Sequence, residues 1–340
     1  MRLPGPRHAP GARHRARETV DAAPAAHPAA HHAAPTRRPG ALAAGAGALG
    51  VAVLLAGAAA ALTAATIGAP PDVDRAAAAR LAAASRPSPP PLVSSPTPAV
   101  AACELPGVVE ALSAGDDEAA LIAMGGAAAV REAVITGGAP CIDLADPTRL
   151  WVVVDKLRPY EPLGHEPADL TRVDGVRVFN EGLLRAEAAA AFAELVAAAQ
   201  EAGAGQIAIT SGYRSFDDQA TQHARWVAAE GADSADEVSA RPGYSEHQSG
   251  LAVDVVACDG ACGDIARFAS TRQGRWLAEN SWRHGFIVRY EQGQAGTTGY
   301  SPEPWHIRYL GVVLAAAYHG GGFHTLEDFW GLPAAPDYGD

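Results

Sequence analysis

Ser245-Glu-His-Gln-Ser-Gly-Leu-Ala-Val-Asp254 is the stretch on which the reading of this chain turns. Turn-prone Gly250 precedes an apolar run, and Leu251-Ala-Val-Asp-Val-Val reads as a strand. That strand carries a carboxylate, Asp254, among apolar neighbours. Such a group is costly to desolvate unless something offsets the charge. A metal ion does so, with His247 seven residues upstream as a companion ligand. A buried ion pair with an Arg is the other reading of Asp254 taken alone.

Outward from this strand the pattern stays mixed. Gln206-Ile-Ala-Ile-Thr-Ser is a strand running into a turn at Gly212, and Trp151-Val-Val-Val also reads as a strand. Phe286-Ile-Val-Arg-Tyr and His306-Ile-Arg-Tyr-Leu complete the strands. Helices are expected over 183–202, 217–230 and 271–283, the last stopped by Gly285. Helices fall between hairpin-like strands without a steady βαβ rhythm, which favours α+β over a doubly wound sheet.

A second constellation is Glu303-Pro-Trp-His-Ile-Arg-Tyr309. Pro304 biases Glu303 to an extended conformation, and in an extended run 303 and 306 do not share a face, so a local bend is required. Three protein ligands plus water make the usual open zinc site, with a non-ligand Glu taking the proton. His247, Asp254, His306 and Glu303 supply those parts. Arg214, in Thr210-Ser-Gly-Tyr-Arg-Ser-Phe, sits at a strand end where a cation stabilises a developing oxyanion; an ordinary surface Arg is the bland reading. His165, His223, His319 and His324 have no partner at ligand spacing, and His284 suits a helix C-terminus. Glu246 neighbours His247, but Glu303 fits the base better.

Ser211-Gly-Tyr-Arg-Ser, Ser245-x-His-x-x-Gly-x-Ala-x-Asp254 and Glu303-Pro-Trp-His-x-Arg-Tyr309 together resemble the three signature blocks of VanY-type D-alanyl-D-alanine carboxypeptidases. These are zinc peptidases of the lysostaphin/D-Ala-D-Ala/hedgehog superfamily. Val154-Asp-Lys-Leu-Arg-Pro159 and Gly285-Phe-Ile-Val-Arg-Tyr290 are weaker matches, and the resemblance covers roughly residues 150–320. It implies an antiparallel sheet with flanking helices. It implies one Zn2+ per chain on His247, Asp254 and His306, Glu303 as general base and Arg214 on the scissile carbonyl. Gln219, Ser245, Tyr300 and Trp305 fall where the family contacts substrate. The implied reaction trims the terminal D-Ala of peptidoglycan stem peptides by attack of a zinc-activated water. A dipeptidase or stem-peptide endopeptidase on the same fold, or a non-catalytic wall-binding module, are the alternatives.

The rest of the chain has a different character. Of its 340 residues, 21 are aromatic, and the first is Trp151. Aromatic residues anchor cores, so the zinc peptidase domain is expected over 150–331. Residues 1–40 hold seven Arg and two acids and read as a disordered cytoplasmic tail. Residues 41–69 carry no charge and are long enough to cross a bilayer, which reads as a transmembrane signal anchor or, if cleaved, an export signal. A Pro/Ala-rich linker at 70–102 then stands the domain off the surface. Residues 103–148 read as a small helical unit, with helices at 116–124 and 127–135. Leu332 to Asp340 reads as a frayed end. The chain nets −12, and with seven Arg against two acids in the tail the acidic excess lies beyond it, which argues against nucleic-acid binding. Four cysteines in an exported domain favour disulfides, with Cys103–Cys141 and Cys258–Cys262 the simplest pairing. A zinc site on Cys258 and Cys262 is the rival and lacks a second ligand pair.

Overall fold

The computed structural model describes residues 100–180 and 182–339. The expectations for 1–40, 41–69 and 70–99 lie outside these residues. Among the described residues no helix is long and apolar enough to cross a membrane.

Two short strands, β1 (Leu170–Thr171) and β2 (Leu184–Arg185), pair with each other. The main sheet contains β3 (Gln206–Ser211), β4 (Ala252–Asp259), β5 (Ala261–Cys262), β6 (Phe286–Tyr290) and β7 (Glu303–Tyr309). Its order is β3-β4-β7-β6, with β5 paired to β4, and all pairings are antiparallel. After one helical turn at Val100–Cys103, α1 (Pro106–Ala114), α2 (Asp117–Ala123) and α3 (Ala127–Ile135) follow. Then come α4 (Ala186–Glu201), α5 (Phe216–Glu230), α6 (Ala232–Val238), α7 (Arg272–Asn280), α8 (Val312–Gly320) and α9 (Leu326–Trp330). This is the α+β arrangement the sequence implies.

Strand alternation positions the site. In β4, Val253, Val255 and Ala257 point into a core shared with Phe192 and Leu195 of α4, Ile207 and Ile209 of β3 and Phe286 of β6. Burying each large member of this set contributes about 1.5–3 kcal/mol. Period-two geometry turns Asp254 to the opposite face. On β7, Ile307 and Tyr309 join the same core, so His306 and Arg308 face away from it. Asp254 pairs in register with His306, which makes them cross-strand neighbours on that face.

Two expectations are corrected here. Trp151-Val-Val-Val is not a strand. It is buried, but the carbonyls of Leu150 and Val152 accept from the Arg308 guanidinium at 3.1 and 2.8 Å rather than from a sheet neighbour. The C-terminal segment is not frayed either. Ala335 is fully buried and its N–H donates to the Thr297 carbonyl at 2.7 Å.

The 103–148 helices share a second core with residues of the peptidase region. Val108, Leu121 and Val130 pack with Trp151, Val153, Ile287, Leu310, Leu314, Phe329 and Trp330. Helix α8 has no side-chain cap of its own. Glu118 of α2 supplies one, accepting from the Val313 N–H at 2.7 Å. Asp117 accepts from Leu150 N at 2.7 Å and from Arg149 at 2.9 Å. Both expected disulfides, Cys103–Cys141 and Cys258–Cys262, are present, which removes the zinc reading of the second pair.

Candidate metal centre

Each candidate ligand is aimed by something behind it. His247 lies in the single tight helical turn Glu246–Ser249. Gly250 ends that turn in the left-handed region, at φ 69°, where a Cβ would lie 2.8 Å from Leu170 Cδ2. His247 Nδ1 is 2.8 Å from the Gly212 carbonyl, so it carries the proton and Nε2 is left as the ligand atom. That Nε2 sits 3.2 Å from Asp254 Oδ2.

His306 is held the other way round. Its Nε2 lies 3.3 Å from Glu246 Oε2, and its Nδ1 lies 3.2 Å from Asp254 Oδ1. The two imidazoles meet edge to face, with centroids 4.9 Å apart. One donor atom each from His247, Asp254 and His306 lies within 4.8 Å of the other two, and among the described residues no other such group occurs. Zinc bonds of ~2.0–2.1 Å in a tetrahedron require donor separations of roughly 3.3 Å. Each imidazole nitrogen lies 3.2 Å from one of the two Asp254 oxygens, close to that span, and the donor set of two imidazoles and a carboxylate suits zinc. The buried Asp254 Oδ1 faces His306 Nδ1 without a well-aligned hydrogen bond, as befits an oxygen available to a metal. The residues therefore fit the ion.

Glu303 Oε2 stands 3.7 Å from His306 Nδ1, and the bend that the sequence requires is present. Between the pairs Val288↔Ile307 and Tyr290↔Glu303, β6 advances two residues while β7 advances four. This bulge brings Glu303 round to the side of His306. Burial raises the Glu303 pKa to about 7; the Asp254 and Glu246 charges push the same way, and His306 and Arg214 oppose them. Burial raises the neutral form of His247, whose pKa is lowered. His306 is raised to about 9 despite burial, by the Asp254 and Glu246 carboxylates beside it. Asp254 is held well below the ordinary carboxylate range: burial opposes this, and the two histidines overcome it.

Arg214 follows β3 and immediately precedes Ser215, which caps α5 by accepting from Asp218 N. Its guanidinium donates to Gln219 Oε1 at 3.0 Å and to Ser211 Oγ at 2.7 Å. Gln219 is itself buried and donates to the Ala240 carbonyl at 2.6 Å, so it fixes the fork. Arg214, Gln219, Ser245, Tyr300, Glu303 and the three candidate ligands line one small cavity of ≈ 70 Å³. Trp305, expected beside them, does not line it. The side chain packs, partly buried, against the core beneath the sheet.

Sequence reasoning set Glu246 aside, and the structure gives it a central place. The side chain is completely buried; its Oε1 accepts from Arg289 at 3.0 Å and Arg308 at 2.9 Å. Arg289 also donates to both oxygens of buried Glu327, at 3.0 and 2.7 Å. The available signal was a pair of arginines inside apolar strands, Phe286-Ile-Val-Arg289 and His306-Ile-Arg308, which need buried carboxylates as partners. The remaining histidines stay apart from this centre: His319 stacks on Trp282, and His324 pairs with Glu291.

Comparison with known proteins agrees with this geometry. Residues 181–312 match the family VanY, D-alanyl-D-alanine carboxypeptidase. The chain is 36% identical over 173 residues to YodJ of Bacillus subtilis (strain 168), covering 50% of this chain and 63% of that protein. It is 36% identical over 143 residues to a D-alanyl-D-alanine carboxypeptidase of Enterococcus faecium, covering 42% of each. It thus spans less than two thirds of these curated relatives. The solved LdcB LD-carboxypeptidase is similar with 34% identity and a TM-score of 0.51, over 55% of this chain and 87% of that one. Three motifs in order, the sheet that carries them and these likenesses lead to one statement: the chain contains a domain of the VanY, D-alanyl-D-alanine carboxypeptidase, family, matched over residues 181–312.

Proposed function

We propose that this chain is a zinc-dependent carboxypeptidase that removes the terminal D-Ala from peptidoglycan stem peptides. The observation that carries the reading is the convergence of His247, Asp254 and His306 beside Glu303 and Arg214 in one cavity. A zinc ion on the three ligands supplies Lewis-acid polarisation and lowers the pKa of water at the site. Glu303 takes a proton from the attacking water and passes it to the leaving amine. Arg214, held by Gln219 and Ser211, donates to the carbonyl oxygen as negative charge develops there. Gly212 and Glu246 keep the two imidazoles in the required tautomers. Residues 41–69 as a membrane anchor, with catalysis outside the cytoplasmic membrane, belong to the same proposal and rest on the sequence.

The likeness to an LD-carboxypeptidase supports a second reading, cleavage between an L- and a D-residue rather than between two D-residues. Mass analysis of products from synthetic stem peptides of both kinds, with zinc and after chelation, tests both. Loss of one D-Ala from the D-Ala-D-Ala peptide supports the main reading, and loss from the shorter peptide alone supports the second. Release of longer fragments points to an endopeptidase. Absence of any product with zinc present rejects the enzyme.

A further inference from the structure

We propose that the C-terminal segment Ala335–Tyr338, pinned by Lys156, braces two loops that line the catalytic cavity, and that Tyr338 thereby sets how tightly the peptide is held there. The inference rests on the carboxypeptidase reading above. It concerns residues beyond the family match, which ends at 312.

Lys156 is the sole lysine of the chain and is buried. Its ammonium donates to the Gly299 carbonyl at 2.5 Å and to the Pro336 carbonyl at 3.1 Å. The ammonium also lies 4.9 Å from the Tyr300 ring centroid and 5.5 Å from that of Tyr338. Gly299 has φ 77°, and a Cβ there would come within 2.6 Å of both the Ala335 and Pro336 carbonyl oxygens. With Ala335 N bonded to Thr297 O, the tail and the loop before β7 are closely fitted to each other.

Tyr338 then touches both the 241–245 loop and Tyr300. Its hydroxyl accepts from Arg241 N at 2.8 Å and lies 3.3 Å from the Tyr300 hydroxyl. The ring meets Tyr244 edge to face at 5.1 Å, and the Arg241 guanidinium sits 4.1 Å from its centroid. Tyr300 lines the cavity, and so does Ser245, next to Tyr244. Tyr300 in turn packs at 4.9 Å on Tyr290, which packs at 4.9 Å on His306. One side chain from the tail therefore contacts both loops. Holding both loops beforehand lowers the ordering cost of binding. Such an effect acts equally on bound substrate and transition state, so it enters KM and leaves kcat alone.

The test compares Tyr338→Ala and Tyr338→Phe with the unaltered full chain, on a peptide ending in D-Ala-D-Ala. Losing the ring and its hydrogen bonds is expected to raise KM about tenfold, with kcat within about twofold and zinc content unchanged. The Phe variant keeps the ring and loses only the two hydroxyl contacts, to Arg241 N and the Tyr300 hydroxyl, and should weaken binding about threefold. Amide exchange in Tyr338→Ala should quicken at 297–300 and 241–245 and stay as before in β4. Unchanged KM with unchanged exchange overturns the proposal; so does a fall in kcat accompanied by loss of zinc. If Tyr338→Ala does not fold, the Phe variant alone decides, by its KM. Failure of the parent reading is distinct: the unaltered chain would turn over no peptide, and the exchange comparison would still decide whether Tyr338 holds the two loops.

Discussion

Glu246 Oε2 lies 3.3 Å from Nε2 of His306, while Oε1 of the same buried carboxylate accepts from Arg289 and Arg308. One side chain thus orients an imidazole and balances two guanidinium groups. Glu246→Gln keeps the shape and removes the charge. It is expected to cost about 3–5 kcal/mol of stability, the penalty for leaving buried partners uncompensated. Metal affinity should fall about 10–100-fold as the His306 ring loses its anchor. Urea unfolding and a competitive zinc titration measure the two effects. Values equal to those of the unaltered chain would remove Glu246 from this role.

The two key glutamates titrate in opposite senses. Glu246 is held well below the ordinary value by Arg289, Arg308 and His306, which overcome its burial. Its contribution to stability is therefore present above the unfolded value and lost as pH falls below it. Glu303 is raised to about 7. In the metal-free chain its contribution is present below the unfolded value and lost as pH rises through about 7. As a base it works only when deprotonated, so kcat/KM should climb with pH on an acid limb at or below about 7, a bound cation moving it downward. A profile flat from pH 5 to pH 8 would contradict the role (roughly the span that brackets a carboxylate shifted in this way).

Glu303 and the ligands should separate cleanly by substitution. Glu303→Gln is expected to lower kcat about 10²–10⁴-fold while zinc stays bound. His247→Ala should lose the metal along with activity. Metal analysis beside single-substrate kinetics distinguishes the two, and full zinc occupancy in His247→Ala would refute the ligand assignment.

Arg214→Ala should lower kcat about 10²–10³-fold, as loss of one preorganised oxyanion donor does elsewhere. Arg214→Lys should recover little, because the fork to Gln219 and Ser211 needs a planar guanidinium. Steady-state kinetics at saturating substrate measures both variants. Lysine restoring full turnover would show that a point charge suffices.

Much of this site was legible because strand periodicity is local. Asp254 inside an apolar strand announces a face that is not core, and the three-residue spacing of Glu303 and His306 in an extended run requires a bend. What was missed depends on partners far along the chain. The run from Trp151 has the composition of a strand, and nothing nearby tells that the carbonyl of Val152 bonds to Arg308. The two prolines of the tail look like an end that frays until Lys156, 180 residues earlier, is seen to hold Pro336. Glu246 was overshadowed by the histidine beside it, since its two arginine partners lie on other strands.

Removing residues 1–148 should not yield a stable catalytic domain. The cut would expose Trp151, Val153, Leu310 and Leu314, now covered by α1–α3, and would take Glu118 from the start of α8. Each large side chain uncovered costs about 1.5–3 kcal/mol. Thermal unfolding of chains beginning near 100 and near 149 measures the difference, and equal midpoints would show that the helices are dispensable.

The Cys103–Cys141 bond gives these helices one further property, a mechanical one. Tension reaching Cys103 from the residues before it need not pass through α1, α2 and α3 in series. The covalent bridge carries it directly to Cys141, at the entrance to the segment buried beneath the sheet. The helices lie in a closed loop shielded from the pull, and so does the Glu118 carboxylate that begins α8. A domain tethered to a surface by its N-terminal side can then be dragged without unravelling from that end.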